Sequence, residues 1–100
     1  MVKIEATFPK QDNEGNLFSA SSFHYVESYL LESVGGYTVT ECSGGWADGG
    51  KTYLDHSFVY SVVVDDMGKA NAVMANLKWL ILNDFRQHSA WITYHDISVF

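Results

Sequence analysis

The chain has 100 residues and a mass of 11.2 kDa, enough for one small domain with one core, so residues 1–100 are read as a single domain. It is 47% hydrophobic and 18% charged, with one proline, which excludes a disordered chain. Twelve acidic residues against six basic ones leave a net charge of −6, which argues against a nucleic-acid reader and against binding to anionic membranes, but suits a cationic ligand or a basic protein partner.

Val2, Ile4, Ala6 and Phe8 alternate with Lys3, Glu5 and Thr7, the pattern of a half-buried strand. Pro9 closes it, and residues 11–16 are a polar turn; the Asp12-Asn13-Glu14-Gly15 run lacks the glycine spacing of a calcium loop. Ser19 or Ser21 is placed to cap a helix whose apolar residues Phe23, Val26, Leu30 and Val34 recur at spacings of three and four. Gly35-Gly36 follow where a helix end wants a left-handed residue. A second strand is predicted over 37–42. Residues 43–50 hold four glycines and are expected to form a flexible loop carrying Trp46. A third strand is expected over about 52–64, long enough to predict a bulge near Asp55-His56-Ser57. Asp65 or Asp66 caps a second helix with the stripe Ala70, Val73, Leu77, Leu80 and Ile81. A fourth strand is expected over 90–94, and residues 97–100 extend it or add a fifth.

The order β-α-β-β-α-β predicts an α+β, ferredoxin-like fold: a four-stranded antiparallel sheet with two helices on one face. The other face would carry Thr7, Thr38, Thr40, Val59, Ser61, Val63 and Trp91. Its apolar area predicts a homo-oligomer, a trimer or a dimer, built through the open sheet.

Cys42 is the only cysteine, so neither an intrachain disulfide nor a cysteine-based zinc site is expected. His24, His56, His88 and His95 show no metal-ligand spacing, and no metal or cofactor is expected. The first ten residues lack the apolar run of a signal peptide, and no segment reaches the roughly 20 apolar residues of a membrane helix. A cytoplasmic location and no membrane partner are expected.

Two neighbouring segments carry the candidate chemistry. In Ser43-Gly44-Gly45-Trp46 the glycines let backbone amides approach a ligand, and an indole stacks on a flat heterocycle or attracts a cation. The competing reading packs Trp46 against the sheet or a neighbouring subunit. Beyond it, Tyr53, Asp55 and Ser57 project to one side of an extended chain and His56 to the other. That disfavours a local Asp-His-Ser triad.

Gly36-Tyr37, Ser43-Gly44-Gly45-Trp46, Val59-Tyr60-Ser61-Val62-Val63-Val64-Asp65, residues 70–77, and Arg86-Gln87 leading into Ala90-Trp91-Ile92-Thr93-Tyr94 together resemble the phage S-adenosylmethionine lyases. The likeness covers roughly two thirds of the chain and consists of features many ferredoxin-like domains share. The run from Asp12 to Phe18 also resembles small phage and bacterial proteins with a D-N-x-G-x-x-F loop, from which no function follows. The lyase resemblance implies a trimer with sites between subunits, and cleavage of S-adenosylmethionine to methylthioadenosine and homoserine lactone. The substrate's own carboxylate would attack, so the protein would supply geometry and dryness rather than a nucleophile or metal. It points to Asp55 and Tyr53 as catalytic residues and to Trp46, Gly44, Gly45 and Ser43 as substrate-binding residues. The family carries a glutamate where this chain has Asp55, so either the shorter carboxylate substitutes or activity is absent. Two other classes stay open: an acidic module that binds or inhibits a host protein without catalysis, and a small ligand-binding oligomer.

Overall fold

The computed structural model describes residues 1–100. Its elements in chain order are β1 (Val2–Pro9), α1 (Ala20–Ser33), β2 (Thr38–Asp48), β3 (Lys51–Val64), α2 (Met67–Trp79), a π-helical turn (Leu80–Asp84) and β4 (Trp91–Asp96). The four strands form one antiparallel sheet in the order β2-β3-β1-β4. That is the expected ferredoxin-like topology.

The alternation in β1 does what it predicts. Val2, Ile4, Ala6 and Phe8 are buried, and Tyr60, Val62 and Val64 of β3 join them on the same face. Val26 and Leu30 of α1 and Ala70, Val73 and Leu77 of α2 complete that layer, with Leu80 and Ile81 from the π-turn. Phe85 is buried at one end, its ring 5.0 Å from that of Phe8, 4.7 Å from Phe18 and 5.4 Å from Phe23. Such aromatic contacts add to the area they bury and pin the segment after α2 to the sheet.

Local chemistry sets most boundaries. Gly35, at φ 94°, ends α1 with its N–H on the carbonyls of Leu30 and Leu31. Asp66 caps α2 by accepting from the Lys69 N–H at 2.8 Å. Ser19 holds the N-cap position of α1 but makes no side-chain cap. Its hydroxyl instead lies 2.8 Å from that of Ser21. Neither helix, of 14 and 13 residues, is long and apolar enough to cross a membrane.

Four expectations are corrected. Residues 43–48 are not a loop: β2 runs through both glycines to Asp48, each residue facing a partner on β3. The turn is only Gly49-Gly50, at φ 57° and 81°, the positive angles of a two-residue hairpin. The register is continuous from Thr38↔Ser61 to Asp48↔Lys51, so β3 has no bulge near His56. The last strand begins at Trp91 and ends at Asp96, and residues 97–100 add no strand.

One length mismatch shapes the molecule. β1 pairs with β3 only from Val2↔Val64 to Pro9↔Ser57, and the last rung is the Lys10 N–H on the His56 carbonyl at 3.0 Å. Residues 43–48 and 51–56 therefore continue as a two-stranded ribbon beyond the body, contributing to a long axis of 44 Å.

Candidate functional site

Strand parity assigns each ribbon side chain to a face. Gly44 and Trp46, opposite Asp55 and Tyr53, continue the open face of the sheet. Ser43 and Gly45, opposite His56 and Leu54, belong to the helix side. The rings of Trp46 and Tyr53 stack at 4.5 Å and 19°, a cross-strand pair that gives the ribbon one flat aromatic wall. Gly44 opposite Asp55 has open space where a Cβ would stand, so nothing covers the carboxylate from across the ladder.

Beyond the end of β1, a hollow of about 530 Å³ opens between the ribbon, the turn after β1 and the connection into β4. That volume is in the range of small-molecule sites. Trp46, Tyr53 and Asp55 line it with Asp12, Gln87 and Trp91, and none of its 14 lining residues is lysine or arginine. Asp12 is fixed by its own loop, its Oδ1 accepting from the N–H groups of Glu14 and Asn16, each at 2.9 Å. The Asn16 N–H first, then that of Glu14 and the charge of Arg86, hold its carboxyl below the usual carboxylate range against a partial desolvation. Two carboxylates and no lining lysine or arginine make the hollow attractive to a positively charged ligand, with Arg86 acting on Asp12 from outside the lining.

Of the six candidate residues, the structure brings Trp46, Tyr53, Asp55 and Gly44 together on one face. Ser43 and Gly45 face away. The Ser43 hydroxyl lies 3.1 Å from His56 Nδ1, and Leu54 packs over Gly45, where a Cβ would stand 3.5 Å from Leu54 Cδ2. Along β3, Asp55 and Ser57 share one face and His56 takes the other, so no local Asp-His-Ser triad forms. No group of three or more His, Cys, Asp or Glu side chains is placed to hold a metal ion.

The segment that delivers Gln87 and Trp91 has an unusual backbone. The Phe85 N–H reaches back five residues to the Leu80 carbonyl at 3.0 Å, and the Gln87 N–H bonds the Ile81 carbonyl at 3.1 Å. Arg86 between them is the one non-glycine residue with positive φ, at 50°. Wide turns and left-handed non-glycine residues concentrate at functional sites.

The fold has known counterparts. CutA from the bacterium Xylella fastidiosa superposes with a TM-score of 0.71 at 14% identity, over 99% of this chain and 85% of that one. The periplasmic divalent cation tolerance protein CutA from Archaeoglobus fulgidus gives 0.65 at 14%, over 100% and 87%. A phage S-adenosylmethionine lyase bound to S-methyl-5′-thioadenosine gives 0.66 at 8%, over 95% and 80%. These likenesses are of fold alone. No protein-family model matches the sequence, and no curated protein matches it.

Proposed function

We propose that the hollow binds S-adenosylmethionine and that the chain, as a homo-oligomer, cleaves it to methylthioadenosine and homoserine lactone. The observation that carries this reading is the stacked Trp46–Tyr53 wall beside Asp55 in a hollow without lysine or arginine. An aromatic face suits both the adenine and the sulfonium, and the carboxylates suit a ligand with two cationic centres. The fold-level likeness to the phage lyase adds support.

The reaction balances within the substrate. Its carboxylate oxygen attacks the γ-carbon of the methionine chain and the carbon–sulfur bond breaks. The electron pair goes to sulfur, so sulfonium and carboxylate charges are lost together and no proton moves. The protein's part is to fold the methionine chain into attack geometry and exclude water. In this reading Trp46 covers the adenine, Asp55 faces the sulfonium or ammonium, and Tyr53 backs the indole and contacts the substrate.

A half-open hollow excludes water poorly, which is the reason to place the working site between subunits. Leu54 is 78% exposed and Trp91 74%. A two-stranded ribbon is marginal alone in water, so a second copy covering it would stabilise both. A trimer working in the cytoplasm completes the proposal.

One observation favours a second reading, ligand binding without turnover: the Asp55 carboxylate has no hydrogen bond or ion pair orienting it within the chain. Incubation of purified protein with S-adenosylmethionine, followed by chromatography, separates the two. Methylthioadenosine well above a no-protein control is expected. No product, with methylthioadenosine still binding by calorimetry, would leave the binding module, and no binding would overturn both.

A further inference from the structure

We infer that Gln87 sets the base specificity of the hollow, its side-chain oxygen accepting a hydrogen bond from the exocyclic amino group of an adenine. The inference rests on reading the hollow as a site for a nucleoside sulfonium.

Three features fix Gln87. Phe85, two residues before it, is locked among Phe8, Phe18 and Phe23. The left-handed Arg86 then reverses the chain, and the Gln87 N–H is tied to the Ile81 carbonyl. Its half-buried side chain lines the hollow. There its Nε2 donates to the Phe85 carbonyl at 2.8 Å. A carbonyl oxygen only accepts, so the nitrogen must face Phe85 and the orientation of the amide is settled. Oε1 has no protein partner and is left as an acceptor held by two short tethers.

A fixed acceptor selects a donor. The amino group on C6 of adenine is such a donor, whereas hypoxanthine and guanine carry a carbonyl oxygen there. Opposed acceptors repel, and the lost bond leaves Oε1 unpaired. Gln11 and Asn13 also line the hollow, but Gln87 is the lining amide whose orientation a hydrogen bond fixes, which makes it the group to read the base. The π-turn and the left-handed Arg86 then have a role, since they place this amide in the hollow.

The test is calorimetric titration of the intact protein with methylthioadenosine and with its deaminated counterpart, methylthioinosine. Methylthioadenosine should bind about tenfold more tightly, the worth of one good hydrogen bond. In Gln87→Ala the two should come within about twofold of each other. Retention of the roughly tenfold preference in Gln87→Ala would show that another group reads the base, and the inference would fall. Equal binding of both nucleosides by the wild-type protein would overturn the inference and leave the nucleoside site standing, a comparison that needs no variant to fold. Binding of neither would overturn the site and the inference together.

Discussion

The Tyr60 hydroxyl donates to Glu27 Oε2 across 2.8 Å, joining the middle of β3 to α1 under the helical layer. The ring of Tyr60 is buried and packs edge-on to Phe8 at 5.5 Å, so its polar tip needs a partner. Tyr60→Phe keeps the packing and removes the bond. It should cost about 1 kcal/mol, a fall of roughly 4–8 °C in melting temperature for a domain of this size. Glu27→Ala should cost more, because it leaves the buried hydroxyl unpaired. Equal melting of Tyr60→Phe and wild type would show that the bond contributes nothing net.

The same pair makes stability depend on alkaline pH. Burial first, then the Glu27 carboxylate, keeps the Tyr60 hydroxyl protonated well above its ordinary value of 10.0. The folded chain therefore holds this proton more tightly than the unfolded chain. The resulting stabilisation is complete below about pH 10 and is lost as pH climbs above that toward the raised value. Urea midpoints measured from about pH 8 to 11 should fall more steeply for wild type than for Tyr60→Phe. Parallel curves would contradict this.

Trp46→Ala separates ligand contact from packing. The indole is half exposed and its main neighbour in the chain is the Tyr53 ring, so its loss should change stability by only about 1 kcal/mol. Affinity for methylthioadenosine should fall at least about tenfold. Intrinsic fluorescence titration and thermal melts read the two effects. A large loss of melting temperature with unchanged affinity would return Trp46 to a purely structural role.

Asp55→Ala should abolish turnover of S-adenosylmethionine and leave the assembly's mass by light scattering unchanged, because an exposed ribbon carboxylate buries nothing. Asp55→Glu should keep activity if reach is what matters. Undiminished turnover in Asp55→Ala would remove this residue from the reaction.

Gly50 has φ 81°, where a β-branched side chain is strained by about 1–2 kcal/mol. Gly50→Val should lower the denaturant midpoint accordingly and open the ribbon to proteolysis. Gly49→Asn, at φ 57°, should be tolerated, since asparagine visits that region readily. Equal proteolysis of Gly50→Val and wild type would show that the turn does not hold the ribbon.

The fold was legible because its signals are local and periodic. Val2 to Phe8 alternate, Val26 and Leu30 or Val73 and Leu77 mark a helical stripe, and Gly35 and Asp66 terminate and cap as their chemistry requires. The stretch from Ser43 to Asp48 was misread for a physical reason. Gly44, Gly45 and Ala47 have poor strand propensity of their own, and the order comes from their partners Asp55, Leu54 and Thr52 across the ladder.

The candidate site was legible only in part. Trp46, Tyr53 and Asp55 stood out by residue type, but separating them from Ser43 and Gly45 needs the parity of a strand that the glycines disguised. Asp12 read as a turn residue, which it also is. Nothing periodic announces the π-turn or the left-handed Arg86, because both follow from anchoring Phe85 in an aromatic cluster assembled from distant parts of the chain.

The early end of β1 has one more consequence. Antiparallel pairing alternates along β3, so beyond the Lys10–His56 rung the backbone groups of Leu54 and Thr52 that would have met β1 point outward without a partner. Such an edge is a template on which a foreign extended chain can crystallise into cross-β stacking, and the nearby Leu54 makes it stickier. Lys51 and Asp55 on β3, with Asp48 across the ladder from Lys51, place charge beside that edge, the usual deterrent. The Asp55 carboxylate, proposed above to face a ligand, thus also guards solubility, and replacing all three charges at once would yield a chain that folds but precipitates.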